Sequence, residues 1–215
     1  GDVELVDHVE FEFDFLPGLH RDLQFRGLLS CLGEDFAAFA FDYRGFGRSA
    51  EAAPTEAGLY ADGRAAAGFA RSRAAALGVP LLYHGHSLGC AVAIETALGD
   101  PPAGLVLESP FTSLPAVARH HLPFLPVGLL LRARYDNIEK VPRLRVPLVV
   151  IHGTADGTIP AAMGKAIYDA AGSRPKWITL VPNAGHNDVI YSGREPLVDG
   201  LRALLKAAPP AAAAP

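Results

Sequence analysis

The stretch Leu81 to Ala93, LLYHGHSLGCAVA, constrains this chain more than any other. At its centre, Gly85-His86-Ser87-Leu88-Gly89 forms a GxSxG pentapeptide with an apolar run before it and a helix-forming run after it. A strand arriving at Ser87 and a helix leaving it force a sharp, strained turn, and Gly85 and Gly89 are expected to permit it because they carry no Cβ. The serine hydroxyl then stands proud of the sheet edge. The N–H of Leu88, at the start of the helix, points where an oxyanion would form. The alternative is a Gly-Ser turn without chemistry, and the flanking strand and helix favour a nucleophile over it.

A serine hydroxyl attacks at neutral pH only when a base takes its proton, usually a histidine held by a carboxylate. The turn therefore asks for an acid and then a histidine downstream, each in a loop after a strand. Asp156 follows the apolar strand expected at Pro147 to Ile151, and His186 follows the one expected at Lys176 to Val181. His152 reads instead as a structural histidine bonding loop backbone. Asp188 reads as a residue that caps or orients its loop, Asp136 as a helix or turn residue, and His84 and His86 as weaker candidates for the base.

The remaining pattern is that of an α/β domain. Val9 to Phe15 alternates apolar and acidic residues with a period of two, as in an edge strand. Leu19 to Leu32 carries apolar residues at helical spacing, and Phe36 to Phe41 reads as a buried parallel strand entering the loop Asp42 to Ser49. Leu59 to Leu77 is expected to be a helix whose inner face, Gly63, Ala66, Ala67, Ala70, Ala74 and Leu77, is mostly small. Val79 to Tyr83, Gly104 to Glu108, Pro147 to Ile151 and Lys176 to Val181 are the expected strands, with helices at Ser87 to Leu98, Ala161 to Ala171 and around Leu197 to Leu205. This alternation implies a mostly parallel sheet with helices on both faces, three layers in all. Residues 1–207 read as one domain interrupted by a cap or lid over about 110–141, and 208–215 as a disordered tail.

The cap contains Phe111, Leu122, Phe124 and Leu125. These four are the candidates for a substrate-binding wall over the serine, the competing reading being helices packed on the body. His120-His121 does not read as a metal pair, since adjacent side chains on a helix are expected to diverge and no further ligand lies at ligand spacing. No metal or other cofactor is expected. A net charge of −4 leaves no electrostatic footprint for nucleic acid. Cys31 and Cys90 are in no metal or redox spacing, so a disulfide framework is not expected, and Cys90 reads as a small hydrophobe under the helix after Ser87. No run reaches the roughly 18 apolar residues of a membrane span. Cytoplasmic localisation is the expectation, although the chain starts at Gly1, where an upstream signal or anchor could have been removed. Oligomeric state is not readable.

The motifs FDYRGFGRS, GHSLG, ESPFTS, HGTADGTIP and AGHND, in this order over Phe36 to Leu205, resemble those of the α/β-hydrolases. The resemblance is to the branch of abhydrolase-domain serine esterases, thioesterases and depalmitoylases. It implies that Ser87 is the nucleophile, Asp156 the triad acid, His186 the base and Leu88 the first oxyanion donor. An ester or thioester substrate, small or lipid-like, would follow, with an acyl chain received by the lid and peripheral membrane contact through it. Two departures stand out. Members of this fold usually carry His-Gly after the strand preceding the first helix, and here the chain has Leu16-Pro17-Gly18, where proline cannot donate. The N–H groups of Phe15, Leu16 or Gly18 are the remaining candidates for the second donor, with Leu16 put forward. The leading antiparallel strands of the family are also not seen, which reads as a trimmed, minimal or degraded hydrolase. A peptidase, or a weakly active or non-catalytic binding protein on the same scaffold, is the alternative.

Overall fold

The structure, a computed structural model, describes residues 38–47, 49, 51–126 and 131–208. The strand expected at Val9 to Phe15, the helix at Leu19 to Leu32, the donor at Leu16 and the residues after 208 lie outside the described residues.

Among the described residues, four strands form one parallel sheet in chain order. They are β1 (Leu82–His86), β2 (Gly104–Glu108), β3 (Leu148–Gly153) and β4 (Lys176–Val181). The register pairs His86 with Glu108, Glu108 with Ile151, and Gly153 with Val181. Every residue of β2 and β3 is buried, as their unbroken apolar sequences require. Successive side chains point to opposite faces, so each central strand feeds two cores. Leu105, Leu107, Leu148 and Val150 pack on one face against Ile94 and Ala97 of α2 (Leu88–Gly99) and Ile167 of α5 (Ala161–Ala170). Val106, Val149 and Ile151 pack on the other against Val189 and Ile190 of α6 (Val189–Ser192) and Leu197, Leu201 and Leu204 of α7 (Arg194–Ala207). These are the three layers the alternation implies.

Helix α1 (Glu56–Leu77) starts under a Thr55 cap, whose hydroxyl accepts the Gly58 N–H at 3.1 Å, and stops at Gly78 in the left-handed region. It lies close on α2 because Gly63 faces Val92 and Thr96, where a Cβ would collide. Its buried face is Gly58, Leu59, Tyr60, Gly63 and Ala67. Leu77, expected on that face, is 61% exposed instead. The buried residues of the helix end at Ala67, and beyond it Arg71 pairs with Asp100 at 2.6 Å.

Three strand expectations change, the first being that the strand expected to end at Ile151 runs on to Gly153. The described part of Phe36 to Phe41 carries no ladder, and Phe39 and Phe41 are exposed. Their rings pack on each other at 6.3 Å, and Phe39 packs on Phe69 of α1 at 5.0 Å, so an aromatic cluster takes up the apolar run. The strand into Ser87 spans Leu82–His86 rather than Val79 to Tyr83, because Gly78 and Pro80 lead out of the helix end before pairing can start.

The segment from 110 to 141 holds α3 (Leu114–His121) and the short α4 (Asn137–Lys140), which runs into a 3-10 turn at Val141–Arg143. Leu114 and Val117 of α3 pack on the cluster of Leu59, Tyr60, Val92, Phe111 and Ile159, beside Leu88. This end of the segment is thus packed on the body next to the Ser87 turn.

Candidate active site

The three residues selected for the triad stand at the C-terminal edge of the parallel sheet, where open α/β sheets bind ligands. Ser87 follows β1, Asp156 follows β3 and His186 follows β4. The Ser87 backbone has φ 53° and ψ −118°, a conformation that costs an L-residue on the order of 1–3 kcal/mol. The surroundings enforce it. The Ser87 N–H donates to the Glu108 carbonyl at 2.9 Å, and the Ser87 carbonyl accepts from Cys90 N–H at 3.0 Å. A Cβ on Gly85 would lie 2.5 Å from the Gly89 carbonyl oxygen, so this position requires glycine. Gly89 does not share that requirement, since a Cβ there would meet only the Tyr43 hydroxyl at an ordinary 3.6 Å. The expectation of two sterically obligatory glycines is corrected to one.

Beneath the turn the Cys90 thiol is fully buried and donates to the carbonyls of Gly85 at 3.0 Å and Glu108 at 3.1 Å. Burial drives its pKa well above the ordinary value, so it ties β1 to β2 and is inert as a nucleophile.

Ser87 Oγ lies 3.0 Å from His186 Nε2, and His186 Nδ1 lies 2.8 Å from Asp156 Oδ2. An ionised carboxylate only accepts, so Nδ1 carries the proton and Nε2 is left to accept from the serine hydroxyl. The carboxylate is itself fixed. Its Oδ1 accepts the N–H groups of Thr158 and Ile159, both at 2.8 Å, and the His152 Nε2–H approaches Oδ2 at 3.3 Å. Burial pushes the Asp156 pKa upward, but the hydrogen bonds from His152, His186 and Ile159 outweigh it and hold the carboxyl well below the usual range.

The rival residues fall elsewhere. His152 is fully buried and donates to the Ile159 carbonyl at 2.8 Å, a backbone-bonding role. Its contact with Asp156 was not foreseen, although the i, i+4 spacing across the loop was visible. His84 pairs with the buried Glu108 at 3.2 Å, away from the serine. Asp136 pairs with Arg134 at 2.8 Å, and Asp188 precedes α6 without a side-chain cap bond. The His120 and His121 rings do not diverge as expected. They meet edge to face at 5.1 Å near the helix end, and His121 Nε2–H donates to the Thr158 carbonyl at 2.8 Å. No group of three or more His, Cys, Asp or Glu among the described residues is placed to hold a metal.

The substrate-wall candidates do not come together. Phe111 is buried in the cluster beside Leu88, whereas Leu122 and Leu125 are exposed and Phe124 is 97% exposed. An open crevice of about 410 Å3, bordered by Glu56, Arg132, Arg134, Asp136, Lys140 and Arg143, includes none of Ser87, Asp156 or His186, and its charged rim does not suit an acyl chain. Among the described residues no helix is long and apolar enough to cross a membrane.

His86 is the second residue that sequence reasoning undervalued. Its Nε2–H donates to the His186 main-chain carbonyl at 3.0 Å, and the two rings lie 4.9 Å apart. Burial lowers its pKa, with the Glu108 charge opposing and the His186 and His84 rings adding to the fall. A histidine with a lowered folded-state pKa stabilises the fold above its unfolded value of about 6.5 and loses that contribution as pH falls through the folded value. From pH 7 to 5, H86Q is therefore expected to lose less stability than the wild type, read from urea midpoints at each pH. Parallel losses would remove His86 from the acid response.

Residues 31–133 match the family described as Serine aminopeptidase, S33. The uncharacterized protein Rv2307c of Mycobacterium tuberculosis is 39% identical over 173 residues, covering 80% of this chain and 61% of that protein. The human alpha/beta hydrolase domain-containing protein 17B is 34% identical over 156 residues, covering 73% of this chain and 52% of its own length. The chain thus spans about half to three fifths of the length of these relatives. Among solved structures, a thermophilic esterase from Thermogutta terrifontis superposes with a TM-score of 0.64 over 91% of this chain and 88% of its own, at 17% identity. With the parallel sheet, the strained serine after β1 and these likenesses together, the chain has the α/β-hydrolase fold.

Proposed function

We propose that this chain is a cofactor-free serine hydrolase that cleaves carboxylic esters or thioesters. The observation that carries the reading is the unbroken contact from Ser87 Oγ to His186 Nε2 and from His186 Nδ1 to Asp156, set on a strained turn at the sheet edge. Ser87 Oγ attacks the acyl carbon as its proton passes to His186 Nε2, and Asp156 stabilises the imidazolium that forms. The oxyanion meets the Leu88 N–H. That group heads α2, where a helix offers no internal acceptor, and the neighbouring Ser87 N–H is already engaged with Glu108. Collapse expels the alcohol, protonated by His186, or the thiol, and leaves Ser87 acylated. Water then attacks the acyl carbon, giving its proton to His186 and releasing the acid and free serine.

A second reading, peptide hydrolysis, is favoured by the description of the matching family as a serine aminopeptidase. Amide cleavage demands protonation of a poorer leaving group, which the same histidine would supply. Short p-nitrophenyl esters, long-chain acyl thioesters and aminoacyl amides compared on one preparation are expected to rank esters and thioesters above amides in kcat/KM. Amide turnover above ester turnover would make the peptidase reading the better one. Failure of a fluorophosphonate probe to label Ser87 in folded protein would favour a non-catalytic role for the scaffold.

A further inference from the structure

His86 and Ser87 are neighbours in the chain, and both reach the same residue a hundred positions away. Ser87 meets the His186 ring at Nε2, and His86 holds the His186 main-chain carbonyl, each at 3.0 Å. His86 ends β1 and Ser87 lies beyond it in the turn, so the two neighbours meet His186 at different points, and the His86 ring lies against the His186 ring with a tilt of 46°. Resting on the triad reading, we infer that His86 is a positioning residue. It is a strut from the nucleophile strand that fixes the main chain of His186 and thereby the reach of Nε2 to Ser87 Oγ.

Two other ties on this loop run to a different neighbour. Ala155 N–H donates to the Ala184 carbonyl at 2.9 Å, and Asn183 N–H to Thr154 Oγ1 at 2.9 Å. Both link the first part of the loop to the acid loop after β3. The bond from His186 Nδ1 to Asp156 likewise refers the ring to the acid loop, about which the imidazole can still swing. The His86 bond instead refers His186 to the serine strand, so the distance between base and nucleophile is set from β1 itself. A misplacement on the order of 1 Å between reacting groups costs about 100-fold in rate, which makes such a strut consequential.

The test compares H86F, which keeps a ring of similar size but cannot donate, with H86Q, which keeps an N–H donor. H86F is expected to lower kcat on an activated ester by about 10- to 100-fold with KM within about twofold, and H86Q to recover most of the loss. Wild-type activity in H86F, or equal losses in both variants, would overturn the proposal. If H86F does not fold, H86L serves in the same comparison. Nitrogen-15 NMR of the His186 ring gives a readout that does not depend on turnover. In H86F the Nδ1–H signal should persist while the Nε2 shift moves toward that of a solvent-exposed imidazole, and H86Q should match the wild type. An unchanged Nε2 shift in H86F would overturn the strut even in a protein inert toward every ester. Inertness of the wild type itself would instead count against the triad reading.

Discussion

Ser87→Ala is expected to lower kcat on an activated ester by about 10⁶-fold and to abolish fluorophosphonate labelling. The size of the effect follows from the contact network. Without Oγ no acyl-enzyme can form, and His186 and Asp156 are left to activate a water that has no fixed place between Nε2 and the substrate. Alanine keeps the Cβ and leaves the Ser87 main-chain bonds to Glu108 and Cys90 intact, so the thermal midpoint should stay near that of the wild type. Equal slow hydrolysis by both proteins would show that the serine is not the nucleophile.

Asp156→Asn is expected to cost about 10⁴-fold in kcat. The reason is specific to this loop. Oδ1 accepts two main-chain N–H groups, from Thr158 and Ile159, so the amide oxygen of asparagine must occupy that place. The NH2 group is then turned toward His186 Nδ1, which has to accept, and the ring proton moves to Nε2, where it faces Ser87 and blocks proton uptake. The same NH2 confronts the His152 Nε2–H that approaches Oδ2 in the wild type, adding a clash of donors. The pH dependence supplies a second measurement. A carboxyl with a lowered folded-state pKa adds stability above its unfolded value of 3.8 and loses it as pH falls through the folded value. Acid denaturation below pH 3.8 should therefore be less steep in Asp156→Asn than in the wild type. Kinetics within tenfold of the wild type would exclude Asp156 as the group that orients His186.

How much of this was legible in the sequence depends on how local the signal is. β2 and β4 were read to the residue, because a fully apolar run such as Gly104 to Glu108 and the turn chemistry around Lys176 to Val181 leave few alternatives. Ser87, Asp156 and His186 could be selected because each sits in a loop directly after a strand, and a parallel sheet gathers such loops at one edge. The described part of the run Phe36 to Phe41 misled because an apolar run reports burial without saying what buries it, and Phe39 packs on Phe69 of α1. The backbone-bonding role of His152 was legible because its acceptor lies on its own loop, whereas the role of His86 depends on a carbonyl presented by the loop after β4, which no periodicity displays. The shape of the GHSLG turn was legible only in part. Gly85 is demanded by the helix folding back over it, whereas the second glycine has room to spare.

The backbone of Ser87 has a consequence for how this protein can change. A residue held at φ 53° carries a local penalty that the rest of the fold must offset. Selection for stability alone would therefore find an improvement at this very position, for example a glycine that adopts the same angles without strain. Such a molecule would be sturdier and chemically silent. The strained serine thus marks where robustness and reactivity pull in opposite directions, and it persists only while a use for the hydroxyl outweighs the gain from relaxing it.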